Sequence, residues 1–232
     1  MILAIDTATD QAGVSILADE VILAEFAWRT RGNHSRQLPR AIDAVLATSG
    51  ASIQDVTRVA VAIGPGSFNG IRVGIAHSKG LAFALGATLM GISTLDIIGR
   101  QSAQVSCPVL AILSAGRHEV YLATYDGFGV EWRRSSAYQL LTVSAAAERY
   151  GEQYLLAGSG AEAVAYAART LNLEPITAGV GGRLRRPGYL AELGWTYFED
   201  GGEDQLHTLR PLYLRKSSAE EKRDATVLSN NS

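Results

Sequence analysis

A glycine-rich segment between a predicted strand and a predicted helix is the first place where this sequence could do chemistry. Residues 64–70 read GPGSFNG. Backbone N–H groups at a helix start can hold an anion, so Gly64, Gly66 and Ser67 could form a nucleotide or anion loop. The spacing fits neither a dinucleotide fingerprint nor a P-loop. We favour the alternative, a tight turn that lets helix and sheet pack closely.

Asp6, at the end of the first predicted strand, is the second candidate. In nucleotide-hydrolysing folds an acid at this place can hold a metal–phosphate complex. A turn carboxylate that accepts hydrogen bonds from local N–H groups is the simpler interpretation, and we favour it.

Other reactive side chains lack the spacing that catalysis or metal binding requires. The histidines, none of which is three or four residues from another, are His34, His77, His118 and His207. No helix therefore presents a metal-binding pair, and we find no nucleophile motif and no triad. The sequence predicts no catalytic residue and no metal site, and His34 is expected to cap a helix or lie at the surface.

The helix after the glycine-rich turn carries small residues four apart, Gly70, Gly74 and Ser78. Each interior glycine costs a helix roughly 1 kcal/mol relative to alanine, so close approach of another backbone is expected as an offset. That neighbour is either the protein's own sheet or another subunit, and the sequence leaves both open.

Hydrophobic patterning places these residues on an α/β scaffold. The order strand, strand, strand, helix, strand, helix is predicted over 2–103, and a similar order follows, with strands at 109–113, 119–125 and 130–138. Two copies indicate a duplicated fold with a cleft between the halves. We expect an N-terminal lobe over 1–103, a C-terminal lobe over 104–215 and a disordered tail over 216–232.

Composition narrows the function classes. The formal net charge is −2 over 232 residues, without the basic excess of a protein that grips nucleic acid alone. The single cysteine, Cys107, fits a reducing compartment, and no apolar segment is long enough to span a bilayer. We expect a cytoplasmic protein without membrane contact.

Several segments together resemble the TsaB (YeaZ) family, over about residues 1–215. The most specific is GPGSFNGIRVG at 64–74, although the family usually has threonine where this chain has Asn69. The other matching segments are Ile2–Ala8, Asn33–Ser35, Gly91–Leu95, Glu119–Tyr121 and Pro211–Arg215.

The resemblance implies a duplicated actin-like fold of the ASKHA, ribonuclease-H-like type. It implies a non-catalytic subunit that dimerises with the catalytic subunit TsaD, is joined by TsaE, and activates transfer of a threonylcarbamoyl group to the adenosine 3′ of the tRNA anticodon. ATP and a metal belong to that partner complex, and this chain is expected to need no cofactor. The positions equivalent to the paired histidines of TsaD fall on Thr94 and Ile98, which cannot bind a metal.

In this family the first two helices pack against the partner. They correspond to 35–49 and 68–85 here. The residues that we expect at the interface are Leu38, Ile42, Val45, Gly70, Ile71, Gly74, Ile75 and Ser78. We therefore expect Ile75→Asp to abolish the heterodimer, the same surface to form a homodimer when the partner is absent, and tRNA to be contacted only through the complex.

Three rival functions remain. A nucleotide-binding kinase or ATPase of the ASKHA type, acting alone, would use Asp6 and the glycine-rich loop. A peptidase would need a metal or nucleophile that the sequence does not offer, and a plain structural module would have another partner. The chain also departs from the family pattern at Ser114–His118, where the family often reads Asp-Ala-Arg.

Overall fold

The computed structural model describes residues 1–30, 32–103 and 107–215. The predicted tail at 216–232 lies outside the described residues. The strands are β1 (Ile2–Asp6), β2 (Gln11–Ala18), β3 (Val21–Arg29), β4 (Arg58–Ala62), β5 (Thr88–Ile92), β6 (Val109–Gly116), β7 (Glu119–Asp126), β8 (Arg133–Arg134), β9 (Gln139–Thr142), β10 (Leu155–Ala157) and β11 (Ile176–Thr177). The α-helices are α1 (His34–Ser49), α2 (Phe68–Leu85), α3 (Thr94–Ser102), α4 (Val143–Tyr150), α5 (Ala161–Thr170) and α6 (Pro187–Glu199).

The first sheet has five strands in the order β3-β2-β1-β4-β5. β2 runs antiparallel to β1 and β3, whereas β4 is parallel to β1 and β5 is parallel to β4. β1 and β4 are central, and their near-continuous apolar runs fit strands covered on both faces.

The second sheet repeats this arrangement. Its order is β11-β10-β6-β7-β8, and β9 also pairs with β7. β6 is antiparallel to β7 and parallel to β10, just as β1 is antiparallel to β2 and parallel to β4. The predicted duplication is therefore seen in the order and direction of the strands of the two sheets.

One predicted strand is wrong. Residues 130–138 were expected to form a single strand, but the chain makes a short 3-10 turn at Gly129–Glu131 and only the two-residue β8. Gly127 and Gly129, both with positive φ, bend the backbone before β8. Trp132 follows this turn, and its ring stacks on the ring of Tyr125 with centroids 5.4 Å apart. Aromatic stacking, and not strand pairing, therefore positions Trp132.

Two helices, α3 and α6, each pack on the sheet of the other half of the chain. α6, which was assigned to the second lobe, packs on the first sheet and buries Leu190 and Ala191 in the core around β1 and β4. α3, assigned to the first lobe, contributes Leu95 and Ile98 to a core with β6 and β7. These two exchanged helices therefore join the two sheets, and the lobe boundaries expected from the sequence stay a prediction.

Candidate functional site

Asp6 is the last residue of β1, and it is paired inside the chain. Its Oδ2 accepts a hydrogen bond from Nε of Arg185 at 2.8 Å, and both side chains are almost fully buried. Its Oδ1 accepts from the backbone N–H of Ala8 at 2.9 Å, as expected for a turn carboxylate. Both carboxylate oxygens therefore already have donors.

Arg185 comes from the segment between α5 and α6, far from Asp6 in sequence. One of its terminal nitrogens donates to Oγ1 of Thr9 at 2.8 Å, and its backbone N–H donates to the side chain of Gln11 at 3.2 Å. The guanidinium therefore lies where a cation beside Asp6 would lie. Sequence reasoning missed Arg185, because nothing in the local pattern of 179–187 indicates a contact with β1.

The glycine-rich turn is held mainly by its own chain. The backbone N–H of Ser67 donates to the carbonyl of Ala8 at 2.6 Å, and Oγ of Ser67 accepts from the N–H of Gly70 at 3.3 Å. A Cβ on Gly66 would lie 2.0 Å from the carbonyl oxygen of Ala8, so only glycine fits there. These contacts favour the tight-turn interpretation over an anion loop.

A cavity of about 520 Å³ lies between this turn and the second sheet. The residues that line it are Thr9, Asp10, Arg29, Gly66, Ser67, Ser114, Ala115, Tyr121, Ser159 and Arg215. Asp10 pairs with Arg29 at 3.3 Å, so the one carboxylate of the lining already has a cation.

The segment Ser114–His118, where the sequence departs from the family pattern, comprises the last three residues of β6 and the two-residue turn that leads to β7. Arg117 and His118 both have positive φ, and Arg215 donates to the carbonyl of Ala115 at 3.1 Å and pairs with Glu119. The C-terminal end of the described chain therefore clamps this turn.

The small-residue stripe of α2 packs on the protein's own sheet. A Cβ on Gly70 would lie 2.2 Å from the carbonyl oxygen of Thr7, and a Cβ on Gly74 would lie 2.4 Å from its Oγ1. That Oγ1 donates to the carbonyl of Gly70 at 2.7 Å. Of the two alternatives left open by the sequence, internal packing accounts for the stripe.

The residues predicted at the partner interface are buried in the chain itself. They are Leu38, Ile42, Val45, Gly70, Ile71, Gly74, Ile75 and Ser78. The periodicity that selected them marks the face of each helix that packs on the first sheet, and their place in a partner interface stays a prediction. Ile75→Asp would place a charge in the core and unfold the chain, so it does not test an interface.

The opposite faces of α1 and α2 point away from the sheet. On α2 the outward stripe, as we call it, consists of Asn69, Arg72, Ala76, Gly80 and Phe83. Phe83 is 77% exposed, and nothing lies within 4 Å of a Cβ built on Gly80. On α1 the corresponding residues are Arg36, Arg40, Asp43 and Ala47.

His34 is buried, contrary to the expectation of a capping or surface histidine. It starts α1 and keeps 7% of its surface exposed, and burial lowers its pKa against the opposing effects of Asp6, Thr9 and Asp10.

A polar cluster around Asp96 joins α3 to the second sheet. The hydroxyl of Tyr125 donates to Oδ1 at 2.9 Å, and the hydroxyl of Tyr138 donates to Oδ2 at 2.6 Å. Burial raises the pKa of Asp96, and the two tyrosine hydrogen bonds and Arg134 oppose that rise. The sequence offered no indication of this cluster, because its members are 29 and 42 residues apart.

Two further findings concern metals and membranes. Within 1–30, 32–103 and 107–215, no three His, Cys, Asp or Glu side chains lie together as metal ligands would. In the same described parts of the chain, every helix is too short or too polar to cross a bilayer.

Sequence comparisons give a family and several relatives. A family model described as TsaD, tRNA N6-adenosine threonylcarbamoyltransferase, matches residues 25–176. An uncharacterised protein of Mycobacterium tuberculosis (strain H37Rv) is 32% identical over 222 residues, which cover 94% of this chain and 93% of that protein. The Escherichia coli (strain K12) protein named tRNA threonylcarbamoyladenosine biosynthesis protein TsaB is 39% identical over 127 residues. The match spans only 54% of the E. coli TsaB protein and 55% of its Bacillus subtilis counterpart, about half of each.

Solved structures show the same architecture. YeaZ from Pseudomonas aeruginosa has a TM-score of 0.77 at 24% identity and covers 92% of this chain and 99% of that chain. The ethanolamine utilization protein EutJ from Carboxydothermus hydrogenoformans has a TM-score of 0.52 at 11% identity, covering 83% and 89%. At these identities the likeness concerns the fold alone, and with the two mixed sheets it confirms the predicted two-lobe actin-like fold.

Proposed function

This chain belongs to the family that the TsaD model describes and, within it, to the TsaB (YeaZ) group, and from this premise we propose that it is a non-catalytic subunit in the biosynthesis of threonylcarbamoyladenosine in tRNA. Its role is to bind and activate TsaD, the catalytic subunit. The printed names of its E. coli and B. subtilis relatives support the pathway, and the geometry of the chain supports the role of a binding subunit.

The hydrogen bonds and ion pair around Asp6 support a subunit that has no catalytic activity of its own. An actin-like enzyme would need the acid at the end of β1 to face a metal–phosphate complex. In this chain Arg185 already supplies the cation for Asp6, and the neighbouring N–H of Ser67 is bonded to Ala8. A metal–nucleotide complex would have to displace a buried ion pair before it could reach Asp6.

The observation that carries the binding role is the outward stripe of α2. Phe83 exposes 77% of its surface at the C-terminal end of the stripe, and Ala76 and Gly80 form a shallow strip before it. A mid-helix glycine costs roughly 1 kcal/mol relative to alanine. No contact inside the described chain requires Gly80, whereas a helix that packs closely on α2 would require a small residue there.

We expect the partner to pack across the outward faces of α1 and α2. By binding the competent form of TsaD, the subunit would shift that population. TsaE joins the pair, tRNA is reached only through the complex, and ATP and the metal are held by the partner subunits. When TsaD is absent, the exposed apolar side chains of the same surface favour a homodimer.

Co-expression of this chain with the TsaD of the same organism, followed by size-exclusion chromatography, tests the proposal. The wild-type chain should co-elute with TsaD. Phe83→Asp should separate the two proteins without unfolding the chain, because Phe83 contributes little to the core. Tyr166→Asp is the matched control, since Tyr166 is 72% exposed on α5 in the other lobe, and it should leave co-elution unchanged.

Separate elution of the wild-type proteins would refute the proposal. The rival function, a kinase or ATPase acting alone, predicts that MgATP raises the melting temperature of the isolated chain, because a ligand that binds only the folded state stabilises it. We expect no rise in melting temperature, because Asp6 is already paired with Arg185.

A further inference from the structure

Arg72, in the outward stripe of α2, is held in place from two sides. Its Cζ lies 3.7 Å from the ring centroid of Phe68, one turn earlier in the helix. Its Nε donates to the hydroxyl of Tyr213 at 3.3 Å, and the rings of Phe68 and Tyr213 are stacked with centroids 5.3 Å apart. The C-terminal segment and the first turn of α2 thus fix the orientation of one exposed guanidinium.

The two terminal nitrogens of the Arg72 guanidinium are available to bind a group outside the described chain. They make no hydrogen bond or ion pair with any residue in the described ranges. Arginine presents its donors in a planar fork that matches a carboxylate or a phosphate. A fork that is already oriented loses less conformational entropy when it binds such a group than a freely rotating side chain does.

The surroundings of Arg72 are positively charged although the chain as a whole is slightly acidic, with a net charge of −2. The outward faces of α1 and α2 carry Arg36, Arg40, Arg72 and Lys79 against the single acid Asp43. None of these four cations forms a salt bridge with a described residue. The surface therefore fits an anionic partner group.

We propose that Arg72 anchors the partner interface by binding a carboxylate of an acidic side chain on the protein partner. Ala76, Gly80 and Phe83 continue from Arg72 along the stripe and offer apolar contact, which favours a protein over a nucleic acid. Buried arginines and aromatic residues dominate the binding energy of many protein interfaces. This inference rests on the function proposed above, because it assigns the recognition chemistry of the same surface.

Two variants of the full chain, in complex with TsaD, test the assignment. Arg72→Met keeps the length of the side chain and its contact with Phe68 but removes the charge and the fork. Arg72→Lys keeps the charge and loses the fork. Arg149→Met is the matched control, because Arg149 is an exposed arginine of α4 that lies over an aromatic ring, Tyr150, at 5.1 Å.

The dissociation constant for TsaD is measured by isothermal titration calorimetry at low and high NaCl. Arg72→Met removes one partner of a hydrogen-bonded charge pair, so its dissociation constant for TsaD should rise about tenfold or more. The dissociation constant should rise by a smaller factor for Arg72→Lys and should not change for Arg149→Met. The affinity of Arg72→Met should also depend less on salt than that of the wild type.

Each other outcome has a distinct meaning. If the wild-type chain binds TsaD and Arg72→Met binds equally well, the carboxylate anchor is refuted and the proposed function stands. If Arg72→Met keeps its affinity for TsaD but the complex loses tRNA in a gel-shift assay, the fork binds phosphate and the inference is overturned. If the wild-type chain does not bind TsaD, the proposed function fails first.

Discussion

Arg185 and Asp6 form an ion pair that is buried between β1 and the segment before α6, with Nε and Oδ2 2.8 Å apart. The pair fastens the chain that leads into α6 onto the first strand, 179 residues earlier in the sequence. It also places a cation beside the acid that the sequence indicated as a possible metal–phosphate ligand. One contact therefore joins two distant parts of the described chain and pairs both charges inside the fold.

Replacing Arg185 with methionine should strongly destabilise the protein. Removal of one partner leaves an uncompensated buried charge on Asp6, which typically costs about 3–5 kcal/mol. The free energy of unfolding, measured by urea denaturation, checks this. Arg186→Met is the control, because the neighbouring Arg186 pairs with Glu25 at the surface and such pairs contribute about 0–1 kcal/mol. Equal losses for the two variants would contradict the prediction.

Alanine at two glycines of α2 should change stability in opposite directions. Gly70→Ala should destabilise the isolated chain by roughly 1–3 kcal/mol, because the new Cβ would meet the carbonyl oxygen of Thr7 at 2.2 Å. Gly80→Ala should stabilise it by roughly 0.5–1 kcal/mol, since the helix gains propensity and the methyl group enters open space. Thermal unfolding of the isolated chain measures both.

An unchanged stability of the isolated chain in Gly70→Ala would mean that the small-residue stripe is not packed on the sheet.

Gly80→Ala can also be tested for its effect on partner binding. If the partner packs closely on the outward stripe, the same substitution that stabilises the monomer should weaken co-elution with TsaD.

The Asp96 cluster should make stability depend on pH in a defined direction. Burial raises the pKa of Asp96 above its ordinary value of 3.8, so the folded state binds a proton more tightly than the unfolded state does. This contribution to stability is fully present below pH 3.8 and is lost as the pH rises through the raised pKa. Asp96→Asn removes the titration and retains an oxygen that accepts from Tyr125.

The difference in unfolding free energy between wild type and Asp96→Asn, measured by urea denaturation from acid to neutral pH, isolates this group from the other carboxylates. The wild type should lose stability relative to the variant as the pH rises above 3.8. A difference that is constant with pH, or that grows in favour of the wild type, would contradict the assignment. Tyr138→Phe is a second check. It removes a hydrogen bond that lowers the pKa of Asp96 and leaves the carboxyl in place, so the pH dependence should persist and move to higher pH.

The local pattern of the sequence predicted most elements of the first lobe and the duplicated fold. The apolar runs of β1 and β4 are local signals, and local signals suffice to place a strand. The same periodicity identified which residues of α1 and α2 are apolar. It could not tell whether that apolar face packs on the chain's own sheet or on a partner. The structure buries all eight residues that we predicted at the interface within the chain itself.

What only the tertiary structure decided are the contacts between distant parts of the chain. The pairing of Asp6 with Arg185, the clamp of Tyr213 on Phe68 and Arg72, and the cluster around Asp96 each join segments between 29 and 179 residues apart. No local propensity encodes such a pair, because its free energy depends on burial and on a geometry that exists only once both sheets and the exchanged helices have packed. The sequence alone determined where most of the elements form, and the packed fold decided which faces of the helices stay exposed.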